Sequence, residues 1–293
     1  MDELRPLLFS IAYRMLGSVA DAEDVVQEAF LRYERADHVD SPKAWLTSVV
    51  TNLAIDQLRS ARAQRETYVG EWLPEPLVDG EDPAAVAEQA DTLSMAFLLL
   101  LERLTPVERA VFLLHDVFGY RYDEIAPMVG RSEANCRQLG VRARKHVDTE
   151  KPRFEASRRE RDELATRFFA AVQDGNVDGL LALLSADVVV SGDGGGKAPQ
   201  WATPIVGAER VARLLAGVGR QIREFGLTLE RHDVNGQPGA VFRTGDGQVL
   251  LAWTVEIADG NVQALRSVIN PDKLRHLGPV ADARALLRLH RES

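Results

Sequence analysis

The sequence predicts a multidomain protein, two all-α helical domains followed by a C-terminal α+β domain. Three observations carry this. Apolar residues recur at helical spacing through the first half, an acidic stretch rich in Pro and Gly interrupts them, and from residue 161 onward short β-rich runs appear between Gly and Asp turns. At 293 residues the chain is long for one domain and comfortable for two or three. Its 45% hydrophobic and 27% charged residues are ordinary for globular proteins. The longest apolar stretch, MAFLLLL at Met95 to Leu101, is too short to cross a bilayer, and no basic-then-apolar signal opens the chain, so the expectation is a cytoplasmic protein with no membrane contact. A lone Cys136 excludes an intramolecular disulfide and a cysteine-rich metal site. No cofactor or metal is expected.

The net charge of −9 hides its distribution. Residues 71–102 carry 8 acidic groups and no Lys or Arg, whereas residues 103–153 carry 10 basic against 7 acidic groups. The acidic segment also holds Pro74, Pro76, Gly80 and Pro83, the composition of a solvated linker. The basic surface is local, so the overall charge does not forbid a DNA-binding module. The boundaries that follow are a first helical domain at 1–68, an acidic linker at 69–90, a second helical domain at 91–153, an α+β domain at 154–280 and a tail at 281–293.

In the first domain Leu4, Leu8, Ile11 and Met15 have helical spacing, and Gly17 ends that helix. Ser18 or Asp21 can cap a second helix, DAEDVVQEAFLRYER. After the polar loop ADHVDSP, a third helix begins at Lys43. Asp21, Glu23, Asp24 and Glu28 make one strongly acidic surface. Trp45, Asn52, Asp56, Arg59 and Arg62 place an aromatic ring ahead of polar and basic groups, a mixture suited to melted single strands, where rings stack on bases and arginines hold phosphates. Trp45 also reads as partly core, and Asp56 can pair with a nearby arginine. Leu53 and Ile55 belong to the core.

The second domain ends in YDEIAPMVGRSEANCRQLGVRARKHV, which has the layout of a helix-turn-helix. A short helix holding Ile125 and Met128 stops at Gly130, and Ser132 is a good N-cap for the next. At 100° per residue Cys136, Leu139, Gly140, Ala143 and Val147 share one face, with Asn135, Gln138, Arg142 and Lys145 roughly opposite. That second face offers donors and acceptors for base edges and phosphates in a major groove.

The segments LRPLLFSIAYRMLGSVADAEDVVQEAF, SPKAWLTSVVTNLAIDQLRSARAQRE and LTPVERAVFLLHDVFGYRYDEIAPMVGRSEANCRQLGVRARK closely resemble regions 2 and 4 of extracytoplasmic-function RNA polymerase sigma factors. The resemblance covers about the first half of the chain. It implies a protein that binds core polymerase and directs initiation at −35/−10 promoters. Asp21, Asp24 and Glu28 match the helix that docks on the β′ clamp helices, and region 4 is expected at the β flap. The loop Asp37 to Lys43 with Trp45 and Asn52 matches the part that captures a flipped −10 base, and Arg59 and Arg62 match the backbone-facing basic helix. Arg131, Ser132, Asn135, Arg137, Gln138, Arg142 and Lys145 match the −35 recognition helix. Phosphate contacts would set affinity, and Asn135 and Gln138 would carry more of the sequence choice.

The remainder of the chain resembles SnoaL-like (NTF2-like) cone-shaped domains that enclose a small pocket. WLPEP at 72–76, DGGGK at 193–197 and NPDKL at 270–274 point to the sigma-J-like subgroup with this extension. That likeness implies control in cis through Trp72, Leu73, Pro74, Asp193, Lys197, Asn270, Pro271, Asp272 and Lys273, and its pocket leaves room for a small ligand. Trp72, Leu73 and Leu77 offer apolar anchors in the linker, with Lys197, Lys273 and Arg275 as positive partners for its acids. DGGGK is not a phosphate loop, because Ser191 and Ala198 stand where Gly and Ser or Thr are required. It and NPDK read equally as turns or as contact sites. Asp193, His232 and Asp233 could serve as bases for an isomerase or cyclase, but no tyrosine follows Tyr122 to act as oxyanion donor, so no enzyme is expected. The alternative is a polymerase-independent helix-turn-helix regulator whose C-terminal domain senses a ligand or is an isomerase or cyclase.

Overall fold

The computed structural model describes residues 2–65, 67–79, 93–148, 158–201 and 203–286, excluding the side chains of residues 2, 61–65 and 148. The chain forms two compact units, Met1–Thr67 with Asp82–Lys151, and Tyr68–Glu81 with Pro152–Ser293. The linker is therefore divided, and its WLPEP part belongs with the C-terminal unit.

Among the described residues, the regular elements of the first unit are all helices. Helix α1 (Arg5–Leu16) stops where Gly17 takes a left-handed φ of 69°, and Ser18 caps α2 (Val19–Glu34) by accepting from the Asp21 amide at 3.2 Å. Helix α3 (Pro42–Arg65) packs on both, burying Leu46, Val50, Ala54, Ile55 and Leu58 with Leu8, Ile11 and Met15. Helices α4 (Met95–Leu101) and α5 (Pro106–Phe112) follow, α5 opening on a capping box between Thr105 and Glu108 and running into one wide π turn, Leu113–Val117. Helices α6 (Tyr122–Val129) and α7 (Glu133–Asp148) complete the unit.

Two buried arginines brace this unit. Arg109, 2% exposed, donates to the carbonyls of Leu101 (2.9 Å) and Met15 (2.6 Å) and pairs with Glu102, so α5 is fastened to the C-terminal end of α1. Arg14 lies beneath the Phe118 ring at 5.5 Å, and burial pushes its guanidinium down to about 10. Helix ends present bare carbonyls, which is what buried guanidinium groups need.

In the second unit, α8 (Arg158–Asp174), α9 (Val177–Leu181) and α10 (Ala208–Glu224) pack against a six-stranded sheet. Its strands are β1 (Leu184–Asp193), β2 (Ile205–Val206), β3 (Thr228–Val234), β4 (Gln237–Arg243), β5 (Val249–Ala258) and β6 (Asn261–Val268), in the order β2-β1-β6-β5-β4-β3. Phe168, Phe169, Phe242, Trp253, Val255 and Leu265 fill the layer between sheet and helices. The sequence suggests an antiparallel sheet, and this holds except at β1 and β6, which are parallel. Local turn signals fix the hairpins: Asn235-Gly236 joins β3 to β4 and Asp259-Gly260 joins β5 to β6, all four residues at positive φ. No such signal fixes the direction of β1, whose partner lies far along the chain. Val241, Ala252, Thr254 and Val268, on the face away from the helices, are also nearly inaccessible, so burial does not alternate along these strands.

Candidate functional site

The helix-turn-helix forms as its sequence suggests. Gly130 adopts a φ of 62° at the end of α6, and Ser132 Oγ accepts from the Asn135 amide at 3.2 Å. Cys136, Leu139, Gly140, Ala143 and Val147 face the core of the unit. At Gly140 a Cβ would lie 2.5 Å from Tyr122 Oη, so a side chain here would displace the Tyr122 ring. Arg131, Ser132, Arg137, Gln138, Arg142 and Lys145 are exposed and Asn135 is half-buried. Arg137 pairs with Glu133 one turn back, and Arg142 stands 3.7 Å from Glu108. Arg144 turns to Asp116 (2.6 Å) and Tyr122 Oη (2.9 Å), which assigns it to the fold. Among the remaining side chains, the basic ones on α7 face solvent.

In the first three helices Asp24 is exposed, while Asp21 and Glu28 are half-buried and Glu28 holds Arg32 at 2.7 Å. Trp45 is half-buried, edge-on to Tyr33 with ring centres 5.8 Å apart. Arg59 pairs with Asp56 at 3.0 Å. The side chain of Arg62 lies outside the described residues. Asn52 is exposed, yet its amide donates to the carbonyls of Ser48 (2.9 Å) and of Met128 on α6 (2.7 Å). Thr47 and Tyr120 share a hydrogen bond at 3.2 Å, and Lys43 lies over the Tyr120 ring. The two helical halves are thus held together through residues beside the expected −10 surface, a contact with no signal in the sequence.

In the C-terminal unit, residues 68–79 form an extended strap. Asp193, fully buried, accepts from Tyr68 Oη (2.5 Å), the Leu73 amide (2.9 Å) and Lys273 Nζ (2.6 Å). Lys273 also donates to the Leu73 carbonyl and lies 4.3 Å from the Trp72 ring centre and 5.1 Å from that of Tyr68. Asn270 donates to Tyr68 Oη at 2.8 Å and caps the turn holding Pro271, Asp272 and Lys273. Gly195 and Gly196 have φ of 57° and 68°, and a Cβ on Gly195 would lie 2.3 Å from Asn270 Nδ2. Within DGGGK it is Gly195 that makes room for Asn270 and Tyr68. Farther along, His276 meets the Pro76 carbonyl at 2.8 Å, Leu77 exchanges hydrogen bonds with Asn235, the Asp79 amide donates to the Asp233 carbonyl, and Val78 pairs with Val234. Leu73, Pro74, Glu75, Pro76 and Val78 are buried.

Two expected partners are not used in this way. Lys197 and Arg275 both pair with Asp272, which stands close to them in the NPDK turn, and only Lys273 reaches the strap. Tyr68, Asn235 and His276, absent from the expected set, prove to be strap anchors. Burial raises the Tyr68 hydroxyl well above the ordinary tyrosine range, helped by its hydrogen bond to Asp193. Burial also raises the carboxyls of Glu71 and Asp233, with Arg266 opposing it at the first and Arg158 at the second. Asp193 and His232 are engaged by the strap, His232 through Asp79 at 3.0 Å, and Asp233 is 3.3 Å from Arg158. Among the described residues no helix is long and apolar enough to cross a membrane, and no cluster of three metal-ligating side chains occurs.

Residues 1–64 match the family described as Sigma-70 region 2, residues 94–147 match Sigma-70, region 4, and residues 165–271 match the SnoaL-like domain. The chain is 40% identical to the ECF RNA polymerase sigma factor SigJ of Mycobacterium tuberculosis, over 97% of this chain and 95% of that one. It is 31% identical to the probable ECF RNA polymerase sigma factor SigI of the same species, over 92% of each. The crystal structure of SigJ superposes with a TM-score of 0.75 at 37% identity, covering 94% of this chain and 97% of the other.

Proposed function

This chain belongs to the extracytoplasmic-function RNA polymerase sigma factors, and on that basis we propose how its parts divide promoter recognition and its control. It binds core RNA polymerase and promoter DNA and directs transcription initiation at −35/−10 promoters, as a specificity subunit and not an enzyme. It acts where the polymerase acts, in the cytoplasm. In our reading Asp21, Asp24 and Glu28 face the basic clamp helices, while the second helical half meets the β flap. Trp45, Asn52, Arg59 and Arg62 take the −10 strand. The exposed face of α7 with the turn ahead of it, from Arg131 to Lys145, lies in the −35 major groove.

Control in cis is carried by one observation, the strap held at Asp193 and Lys273. The strap is part of the segment joining the two sigma regions. While it is bound in the C-terminal unit, its hydrogen-bonded backbone and the buried Glu75 are withheld from the polymerase. Release of the strap therefore raises initiation. The test is run-off transcription by full-length protein with core polymerase on a promoter selected from a random library. Lys273→Met is expected to initiate more strongly than the wild type. Equal initiation would remove control through the strap, and no initiation by either would remove the sigma assignment for this chain. A small ligand in the C-terminal pocket finds no support in the geometry and forms no part of this proposal.

A further inference from the structure

Val141 is 62% exposed, a large apolar side chain on a helix whose outer face is otherwise polar and basic apart from the small Ala134. One exposed valine is ordinary on a protein surface. Its position is not. Taking the mean direction of Cys136, Leu139, Gly140, Ala143 and Val147 as the core side of α7, four residues lie within about 40° of the opposite line at 100° per residue. They are Ala134, Gln138, Val141 and Lys145. Asn135, Arg137 and Arg142 lie farther round, about 60–85° from that line. Val141 thus stands near the crest of the helix, one turn from both Gln138 and Lys145, where it contributes nothing to the core. A β-branched residue is also a poorer choice for an exposed helix position than Lys, Glu or Ala.

An element lying in a major groove brings its crest closest to the base edges and its flanks closest to the phosphate walls. On the crest, Gln138 has the paired donor and acceptor that match adenine, and an apolar group such as a valine matches the C5-methyl group of thymine. We propose that Val141 is a specificity-determining residue that packs against a thymine methyl in the −35 element, close to an adenine read by Gln138. Three residues of helix rise about 4.5 Å, and bases along one strand are spaced by about 3.4 Å, so the two bases lie within about two base pairs of each other. Arg137, Arg142 and Asn135, on the flanks, then serve chiefly to hold phosphates and register. The proposal rests on the reading of α7 as the −35 helix, and it moves part of the sequence choice from Asn135 to Val141.

The test uses full-length protein with core polymerase and a duplex promoter selected from a pool randomised across the −35 element. Each thymine in that element is replaced singly by deoxyuridine, which removes only the methyl group. Binding is measured for the wild type, Val141→Ala, Gln138→Ala and Arg142→Ala. One replacement is expected to weaken wild-type binding about fourfold, the value of one buried methyl, and to leave Val141→Ala binding unchanged. Alanine is a better helix former at an exposed site, so thermal unfolding of Val141→Ala should match or exceed that of the wild type. The proposal is overturned if no deoxyuridine matters, if the loss is the same in Val141→Ala, or if the selected element contains no thymine. If Gln138→Ala and Arg142→Ala still weaken binding in those cases, only the role of Val141 fails. If they too have no effect, the assignment of α7 to the −35 element fails with it.

Discussion

Asp193 is the residue on which the strap depends most heavily, because burying a carboxylate is tolerable only when its oxygens are satisfied. Here they accept from a phenol, an amide and an ammonium group, while the ammonium group also caps the strap carbonyl at Leu73. Lys273→Met leaves that charge unpaired in a site where Asp193 is 0% exposed, and should cost about 3–5 kcal/mol of unfolding free energy. Denaturant titration checks this. Pairing it with Asp193→Asn should recover a large part of the loss, since the cost comes from stranding one charge; a double variant no better than Lys273→Met would mean that the lysine acts by packing alone. Gly195 makes a complementary case. Its φ of 57° and the 2.3 Å approach to Asn270 mean that Gly195→Ala pushes on Asn270 and, through it, on the Tyr68 hydroxyl. The sequence offers DGGGK and NPDKL as either turns or contacts, and they are both. What it could not reveal is Tyr68, which precedes WLPEP and is drawn in only by the folded positions of Asp193 and Asn270.

Among the elements, the strap should respond to acid. Glu71 has an oxygen that is buried without a hydrogen-bond partner, and burial raises its carboxyl despite Arg266, with Ser191 and Asp193 also at hand. Asp233, near Arg158, Arg161, Asp79 and Asp162, is raised by burial as well. Glu71, on the strap itself, holds its proton more tightly when docked than when free, and the strap's Asp79 pushes Asp233 in the same direction, so docking takes up protons. The docked state is therefore favoured at and below the ordinary carboxyl range and loses that advantage as pH rises through the raised, docked values. Hydrogen exchange at the Leu73, Leu77 and Asp79 amides, corrected for intrinsic rates, should show stronger protection at pH 5.5 than at 7.5, and Glu71→Gln with Asp233→Asn should flatten the difference. A second element effect concerns α3 and the turn that leads into α6. The Thr47–Tyr120 hydrogen bond joins the two helical halves, so Tyr120→Phe should ease their separation by about 1 kcal/mol, roughly a fivefold gain in binding a single-stranded −10 oligonucleotide. No gain would mean that the contact does not restrain the −10 surface. The helices and both Gly-containing hairpins were legible because caps, periodicity and turn residues are local signals. The α3–α6 contact and the parallel β1–β6 pair were not, because neither leaves a local pattern.

At the scale of the whole molecule the acidic linker has two competing uses. Its composition suggests a free polyanionic segment able to enter basic nucleic-acid channels of the polymerase. In the structure Glu75 is only 8% exposed and Glu71 is half-buried, so the part up to Asp79 is held by the C-terminal unit; Glu81 and Asp82 lie outside the described residues. Composition cannot distinguish a solvated acidic segment from one whose apolar residues, such as Leu73 and Val78, are buried against a surface elsewhere in the same chain. The same strap cannot be inserted among its anchors and threaded through the polymerase at once. If the linker acts inside the polymerase, the C-terminal unit must give up at least Leu73 and its neighbours when the holoenzyme forms. The expected result is slow hydrogen exchange at the Leu73 and Leu77 amides in the free protein and fast exchange once core polymerase is added, with the helices of the α8–α10 layer unchanged. Protection of those amides that persists in the holoenzyme would show that the strap stays docked during initiation, and the effect of the C-terminal unit would then have to run through something other than strap release.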